Sequence, residues 1–194
     1  MNAAVPFLFT GKIPVFYEHC IHHKESRMKQ FRIGMYGGKF LPFHKGHRFC
    51  VETAAAECET VYVILFAKGA DEERILKMCP EEWLSVEERT RQMMRICKDA
   101  GKLAHIIPAV IDVSKLRLPD GTEDWDAETP LVRELLGNRL DAVYSSEESY
   151  GEYFARAYPE AVHRLVDVKR IHYPISGTDV RNMTDAVERK SWMV

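Results

Sequence analysis

Paired cysteines are missing from this chain. Its five cysteines, Cys20, Cys50, Cys58, Cys79 and Cys97, are odd in number and contain no C-x-x-C spacing. That excludes a disulfide framework and a cysteine zinc site and points to reduced thiols. An excess of charge is missing too: 27 Lys and Arg face 29 Asp and Glu, too little positive potential to hold a nucleic-acid backbone. Long apolar runs are also lacking. AAVPFLF near the start has no basic flank, and Pro6, Gly11 and Pro14 interrupt it, so it reads neither as a leader nor as a membrane span. A soluble cytoplasmic protein is therefore expected, with no nucleic-acid or membrane partner; self-association as a homo-oligomer stays open. Two familiar phosphate motifs are absent as well. The three Gly-Lys pairs precede Ile13, Phe40 and Leu103 rather than Ser or Thr, and no G-x-G-x-x-G follows the first strand-like run, which disfavours kinase-like and dehydrogenase-like readings. There is no internal repeat and no low-complexity segment.

What the chain does have is an alternation of strand-like and helix-like runs. With 194 residues, 46% of them hydrophobic, one compact α/β domain is the natural size class. FRIGMY (31–36), TVYVILFA (60–67), HIIPAVIDV (105–113), DAVYSS (141–146) and VHRLVDV (162–168) are rich in Val, Ile, Tyr and Phe with little strict alternation, as strands covered on both faces should be. Helical patterns fall at 47–58, 85–100, 129–136 and 150–158. Ser85 with Glu88 has capping-box spacing, and Gly101 and Gly137 stand where a helix end favours a left-handed residue. The order predicts a doubly wound parallel five-stranded sheet with ligands at the carboxyl ends of its strands. Residues 114–128 read as a long polar connection, a candidate substrate cover, and 68–84 as a second, more charged one. Residues 1–30 fit none of this and are expected to be an N-terminal extension. His19, Cys20, His22 and His23 within it lack a second ligand pair of conventional spacing, so a solvated tail is the simpler reading.

Two segments carry chemistry. GGKFLPFHKGH at 37–47 places Gly37 and Gly38 at a strand end, then Lys39, then His44 and His47 around a helix start at Gly46. Glycines let backbone N–H groups approach an anion closely, and helix starts present unpaired N–H groups. Far downstream, ISGTDVR at 175–181 supplies a second such start with Ser176, Thr178 and Arg181 as donors. Together they suggest work on a polyphosphate.

These two segments resemble the signatures of the HxGH nucleotidyltransferase superfamily, with His44-Lys45-Gly46-His47 as the first and Ile175, Ser176, Thr178 and Arg181 as the ISxTxxR close. The likeness runs over about residues 31–192 and is nearest to the NadR-type nicotinamide-mononucleotide adenylyltransferases, through the GKFxPxHxGH start, the YSSE strand end and the ISGTxxRN close. It implies a Rossmann-like (HUP-type) nucleotidyltransferase domain over 31–194 in which the phosphate of nicotinamide mononucleotide attacks the α-phosphorus of ATP. The products are NAD and pyrophosphate.

The resemblance also implies roles. His44 and His47 would donate to the α-phosphate, Lys39 would bridge phosphate oxygens, and Ser176 and Thr178 would hold the β- and γ-phosphates. Arg181 would neutralise the leaving pyrophosphate, and Mg²⁺ would arrive with ATP. The ATP cradle would also take in Gly37, Gly38, Phe40, Gly46, Ile175 and, on the adenine side, Ser146 with Glu147. Trp125 would stack on the nicotinamide ring and Arg89 would reach the substrate. Each has a plainer alternative. Ser176 and Thr178 serve as helix caps in many proteins, an isolated histidine often fills space, Arg89 and Arg91 suit a solvated helix face paired to Glu87 or Glu88, and a loop tryptophan can anchor its own loop. NadR-type proteins commonly continue into a kinase domain, and some begin with a DNA-binding helix-turn-helix; neither pattern occurs here, so those activities are not expected. A pantetheine-phosphate adenylyltransferase or a cytidylyltransferase would use the same residues on another acceptor. A tRNA-synthetase fragment and a non-enzymatic nucleotide sensor are the remaining rivals.

Overall fold

The strand Phe31–Gly38 (β1) forms the centre of a five-stranded parallel sheet in the computed structural model, which describes residues 28–194. The His19, Cys20, His22 and His23 cluster lies outside those residues. The remaining strands are Cys58–Ala67 (β2), His105–Asp112 (β3), Ala142–Ser145 (β4) and Val162–Leu165 (β5), in the spatial order β3-β2-β1-β4-β5. The chain winds outward from β1 through β2 to β3, then crosses to β4 and β5 on the other side. Its direction reverses between β1 and β4, and such a reversal leaves a crevice above the strands' carboxyl ends.

Alternation along β1 sends successive side chains to opposite faces. Tyr36 joins the layer under Lys45–Glu57 (α1) and Val86–Ala100 (α3), with Val51, Ala54, Val63, Met93 and Ile96. Met35 joins the other layer with Ile64, Val132, Leu136 and Tyr158, under Trp125–Leu135 (α4) and Gly151–Ala157 (α5). Gly34 has no room for a side chain, because a Cβ there would lie 2.5 Å from the Cys58 sulfur. The doubly wound sheet expected from the alternation is present. β5 departs from it as an edge strand, paired only to β4, with Val162 and Leu165 about half exposed.

Other boundaries moved for identifiable reasons. The charged connection 68–84 contains a helix, Ala70–Met78 (α2), followed by a short turn, Glu82–Leu84. Its acidic first turn, Asp71, Glu72 and Glu73, suits the positive end of the helix dipole. The connection before α4 is shorter than expected: Asp124 accepts from the Ala127 N–H at 3.0 Å and starts the helix at Trp125, which then runs through Pro130. Gly137 does adopt the left-handed conformation, at φ +62°, whereas Gly101 stays right-handed at φ −59°. Ser85 caps the Glu88 N–H at 3.2 Å, but Glu88 turns its carboxylate to Arg91 at 2.8 Å instead of closing the box. The chain closes with Gly177–Asn182 (α6) and Ala186–Trp192 (α7), after which Met193 bridges to His44. Cys50, Cys58, Cys79 and Cys97 are free thiols. Among the described residues no helix is long and apolar enough to cross a membrane.

One buried ion pair ties α2 and α3 to the loop after β1. Arg89 is fully buried, pairs with Glu72, and donates to the carbonyls of Leu84 at 2.9 Å and Lys39 at 2.6 Å. It therefore supports the phosphate-type loop from behind rather than facing a ligand or solvent; Arg91 is the residue on the solvated face. Arg89→Met strands a buried carboxylate and is expected to lower the unfolding free energy by about 3 kcal/mol or more. Urea titration of the variant checks this, and adding Glu72→Leu should recover part of the loss.

Candidate active site

The crevice between the ends of β1 and β4 is a cleft of about 420 Å³ lined by both signature segments: Gly37 to Leu41, His44, Gly46 and His47 from one, and Ile175 to Thr178 with Arg181 from the other. One arginine joins them. The Arg181 guanidinium donates to the Leu41 carbonyl and, at 3.0 Å, to Thr178 Oγ1. A Cβ on Gly177 would sit 2.9 Å from that same Leu41 oxygen, so only glycine allows the approach. Phe40 makes the turn after β1 at φ +49°, a conformation costing a non-glycine residue about 1 kcal/mol. Its burial and a 3.8 Å stack on Phe43 offset that cost.

The two histidines cap α1 reciprocally. His44 Nδ1 accepts the Gly46 N–H at 3.1 Å, and the His44 N–H donates to His47 Nδ1 at 3.3 Å. An Nδ1 that accepts a backbone hydrogen carries no proton of its own, so each neutral ring holds its hydrogen on Nε2. The rings stack with centroids 3.7 Å apart, and His47 is bounded by Phe40 and Phe43. Burial first, then the charge of Arg170, pulls His44 down to about 4. Burial, His44 and Arg170 hold His47 well below its ordinary value. At neutral pH the pair thus presents two Nε2–H donors and no positive charge.

Opposite them, Ser176 caps α6 by accepting the Asp179 N–H at 3.1 Å, while Asp179 accepts the Ser176 N–H at 2.8 Å. The first-turn N–H groups of Gly177 and Thr178 have no intrahelical acceptor. Ser176 does act as the helix cap that the plainer reading offered. Lys39 stands at the rim, where Asp71 and Glu123 hold its ammonium at 2.7 and 2.6 Å. Burial opposes its charge, but the two carboxylates outweigh burial and raise its pKa. Ser146 lines the cleft while touching the Cys50 sulfur at 3.2 Å, and Glu147 pairs with Arg170 at 2.8 Å. Arg89 is the one proposed site residue that the structure keeps out of the cleft.

Several lining residues were not singled out from sequence. Arg170 reaches in at φ +51° and donates to the Ile175 carbonyl at 2.6 Å, while Asp167 gathers the N–H groups of Ile171, His172 and Tyr173. Their position just beyond the carboxyl end of β5 was the available signal. Across the cleft, Trp125 meets Tyr150 and Tyr153 edge-on at 5.4 and 5.3 Å, with Phe154 and Tyr158 behind. YGEYFARAY carries these rings in the sequence, at a spacing that reads equally as core.

The neutral state of His44 has a stability consequence. Its folded pKa lies below the unfolded value of about 6.5, so between pH ~6.5 and ~4 the unfolded chain binds a proton that the folded chain does not. Stability should therefore fall on acidification across that window, with about 3 kcal/mol attributable to this ring at its lower end. Denaturant unfolding near pH 7 and near pH 4, compared with His44→Asn, which keeps a capping side chain, should show a shallower dependence in the variant.

The family model described as Cytidylyltransferase-like matches residues 35–183. The trifunctional NAD biosynthesis/regulator protein NadR of Escherichia coli is 27% identical over 154 residues, covering 77% of this chain and 36% of its own length; that of Salmonella typhimurium is 26% identical over 162 residues, covering 81% and 38%. The chain thus spans well under half the length of these curated relatives. Among solved structures, a NadR protein in complex with NAD and AMP-PNP superposes with a TM-score of 0.58 at 21% identity, over 86% of this chain and 46% of that one. A bifunctional NMN adenylyltransferase/ADP ribose pyrophosphatase from Francisella tularensis follows at 0.53 and 18%, over 77% and 41%. These likenesses carry the fold, and the family match extends from β1 to just past α6: this chain belongs to the Cytidylyltransferase-like family.

Proposed function

We propose that this chain is a nucleotidyltransferase that joins nicotinamide mononucleotide to the AMP moiety of ATP, forming NAD and releasing pyrophosphate. The observation that carries the reading is the convergence of the two histidines of α1 and the start of α6 on one cleft. The names of the relatives, NAD biosynthesis/regulator proteins, and of solved neighbours with NMN adenylyltransferase activity point the same way.

In this reading a phosphate oxygen of the mononucleotide bonds to the α-phosphorus of ATP while the bond from that phosphorus to the bridging β-oxygen breaks. Pyrophosphate departs with the electron pair. The attacking group is already an anion, so no general base is needed, and positioning with charge stabilisation supplies the acceleration. The Nε2–H groups of His44 and His47 donate to the α-phosphate oxygens as charge develops. The Gly177 and Thr178 N–H groups, the Ser176 and Thr178 hydroxyls and Arg181 hold the β- and γ-phosphates. Lys39 reaches phosphate oxygens by exchanging a carboxylate partner. Ser146 and the β4 end border the adenine side.

Mg²⁺ belongs to the substrate here. The cleft's N–H and cationic donors suit a triphosphate that brings its own ion, bound by phosphate oxygens and water, and among the described residues no group of three or more His, Cys, Asp or Glu surrounds an ion site. The ion would shield charge on the departing pyrophosphate. The aromatic wall of Trp125, Tyr150 and Tyr153 favours a flat ring over the aliphatic chain of phosphopantetheine. Free thiols suit a reducing, cytoplasmic setting.

Incubating the protein with ATP, Mg²⁺ and either nicotinamide mononucleotide or 4′-phosphopantetheine should yield NAD from the first and nothing from the second. Dephospho-coenzyme A in place of NAD would reverse the assignment. His47→Ala removes one preorganised donor and is expected to lower kcat by about 10²-fold with ATP affinity largely kept; steady-state kinetics beside ATP titration separates the two.

A further inference from the structure

One turn along α4 from Trp125, and therefore on the same face of the helix, Glu128 enters the cleft. It is 7% exposed, and its carboxyl takes no hydrogen bond from any described residue. The groups facing it are Glu123 and Asp124 from the preceding loop, Lys39 from the end of β1 and Tyr153 from α5. Lys39 already sits between two other carboxylates, and Tyr153 donates its hydroxyl hydrogen to the Trp125 carbonyl at 2.9 Å. Burial, with Glu123 second, raises the Glu128 carboxyl to about 7. Its oxygens are not sealed from the cleft, so a donor on a ligand can reach them, and none of the phosphate-handling steps uses this group.

Resting on the adenylyltransferase reading, we propose that Glu128 selects the acceptor, taking a hydrogen bond from the carboxamide N–H of a cationic aromatic ring and rejecting the corresponding ring carboxylate. Two features of the cleft fit a ring of that kind. Its aromatic walls present faces and edges to a flat cation. Glu123 and Glu128 place negative charge beside a ring bearing a positive nitrogen. The free acid of the same ring would bring a carboxylate against Glu128, leaving two like charges in a poorly solvated corner, which works as discrimination by repulsion. The proposal therefore names the amidated mononucleotide as substrate over the deamidated one.

The test is the ratio of kcat/KM for nicotinamide mononucleotide to that for nicotinic acid mononucleotide, with ATP and Mg²⁺ at about pH 8, where Glu128 is ionised. The wild type should favour the amide by about 10²-fold or more. Glu128→Gln, whose side-chain amide can donate to a carboxylate, should cut that ratio at least about tenfold by improving use of the acid. In the wild type the preference should also narrow at about pH 6, where the protonated carboxyl can donate. Equal use of both substrates by the wild type overturns the inference, as does a folded Glu128→Gln with an unchanged ratio. Should that variant fail to fold, the wild-type ratio and its pH profile decide. Absence of product from either mononucleotide overturns the adenylyltransferase reading and this inference with it, a result distinct from NAD formation without discrimination.

Discussion

A single carbonyl oxygen, that of Leu41, holds the two halves of the cleft together. It receives the Arg181 guanidinium and lies against Gly177, so the loop after the first strand and the start of the sixth helix are fixed to each other by a side-chain-to-backbone bond and a close backbone approach. The two segments are 140 residues apart in sequence. The sheet brings them to the same edge, and this contact turns proximity into register. Any side chain at position 177 would push the segments apart, and the donors on each would no longer share a ligand.

The second organising feature is electrostatic restraint. The cleft is not filled with free cations: Arg170, Arg181 and Lys39 each have protein acceptors, and both histidines are kept neutral. Positive charge is present but already solvated by protein, so the site stays folded without its ligand. On the proposed reading, an incoming triphosphate would displace carboxylates and carbonyls rather than meet an unbalanced cluster.

Much of the fold was legible because each central strand is a continuous apolar run and each connection carries its own start or stop signal. The doubly wound parallel sheet followed from that alternation; its strand order, β3-β2-β1-β4-β5, came from the structure. What escaped was structure held by polar contacts. The buried residue of α2 is a charged one, Glu72, and nothing local announces that its partner is Arg89, 17 residues on. Arg89 itself looked like a surface or substrate residue because arginine so seldom lies fully buried. The start of α4 was hidden by Pro130, which suggests a first turn near 129, whereas the Asp124 cap sets it earlier. The site divided in the same way. The HKGH and ISGTDVR segments are visible as contiguous strings, while Arg170, the Tyr150–Tyr153 pair and Glu128 come from three places and acquire meaning only where the strands end.

The Gly46 amide hydrogen serves two structures at once. It fixes the first turn of α1 and, by the same bond, decides which nitrogen of the His44 ring is protonated. Fraying of that turn therefore frees the hydrogen to exchange with solvent and lets the ring interconvert between its two tautomers in the same opening event. Local unfolding and loss of the donor array become one equilibrium, so the protection factor of a backbone amide gauges how often the imidazole points the wrong nitrogen at its ligand.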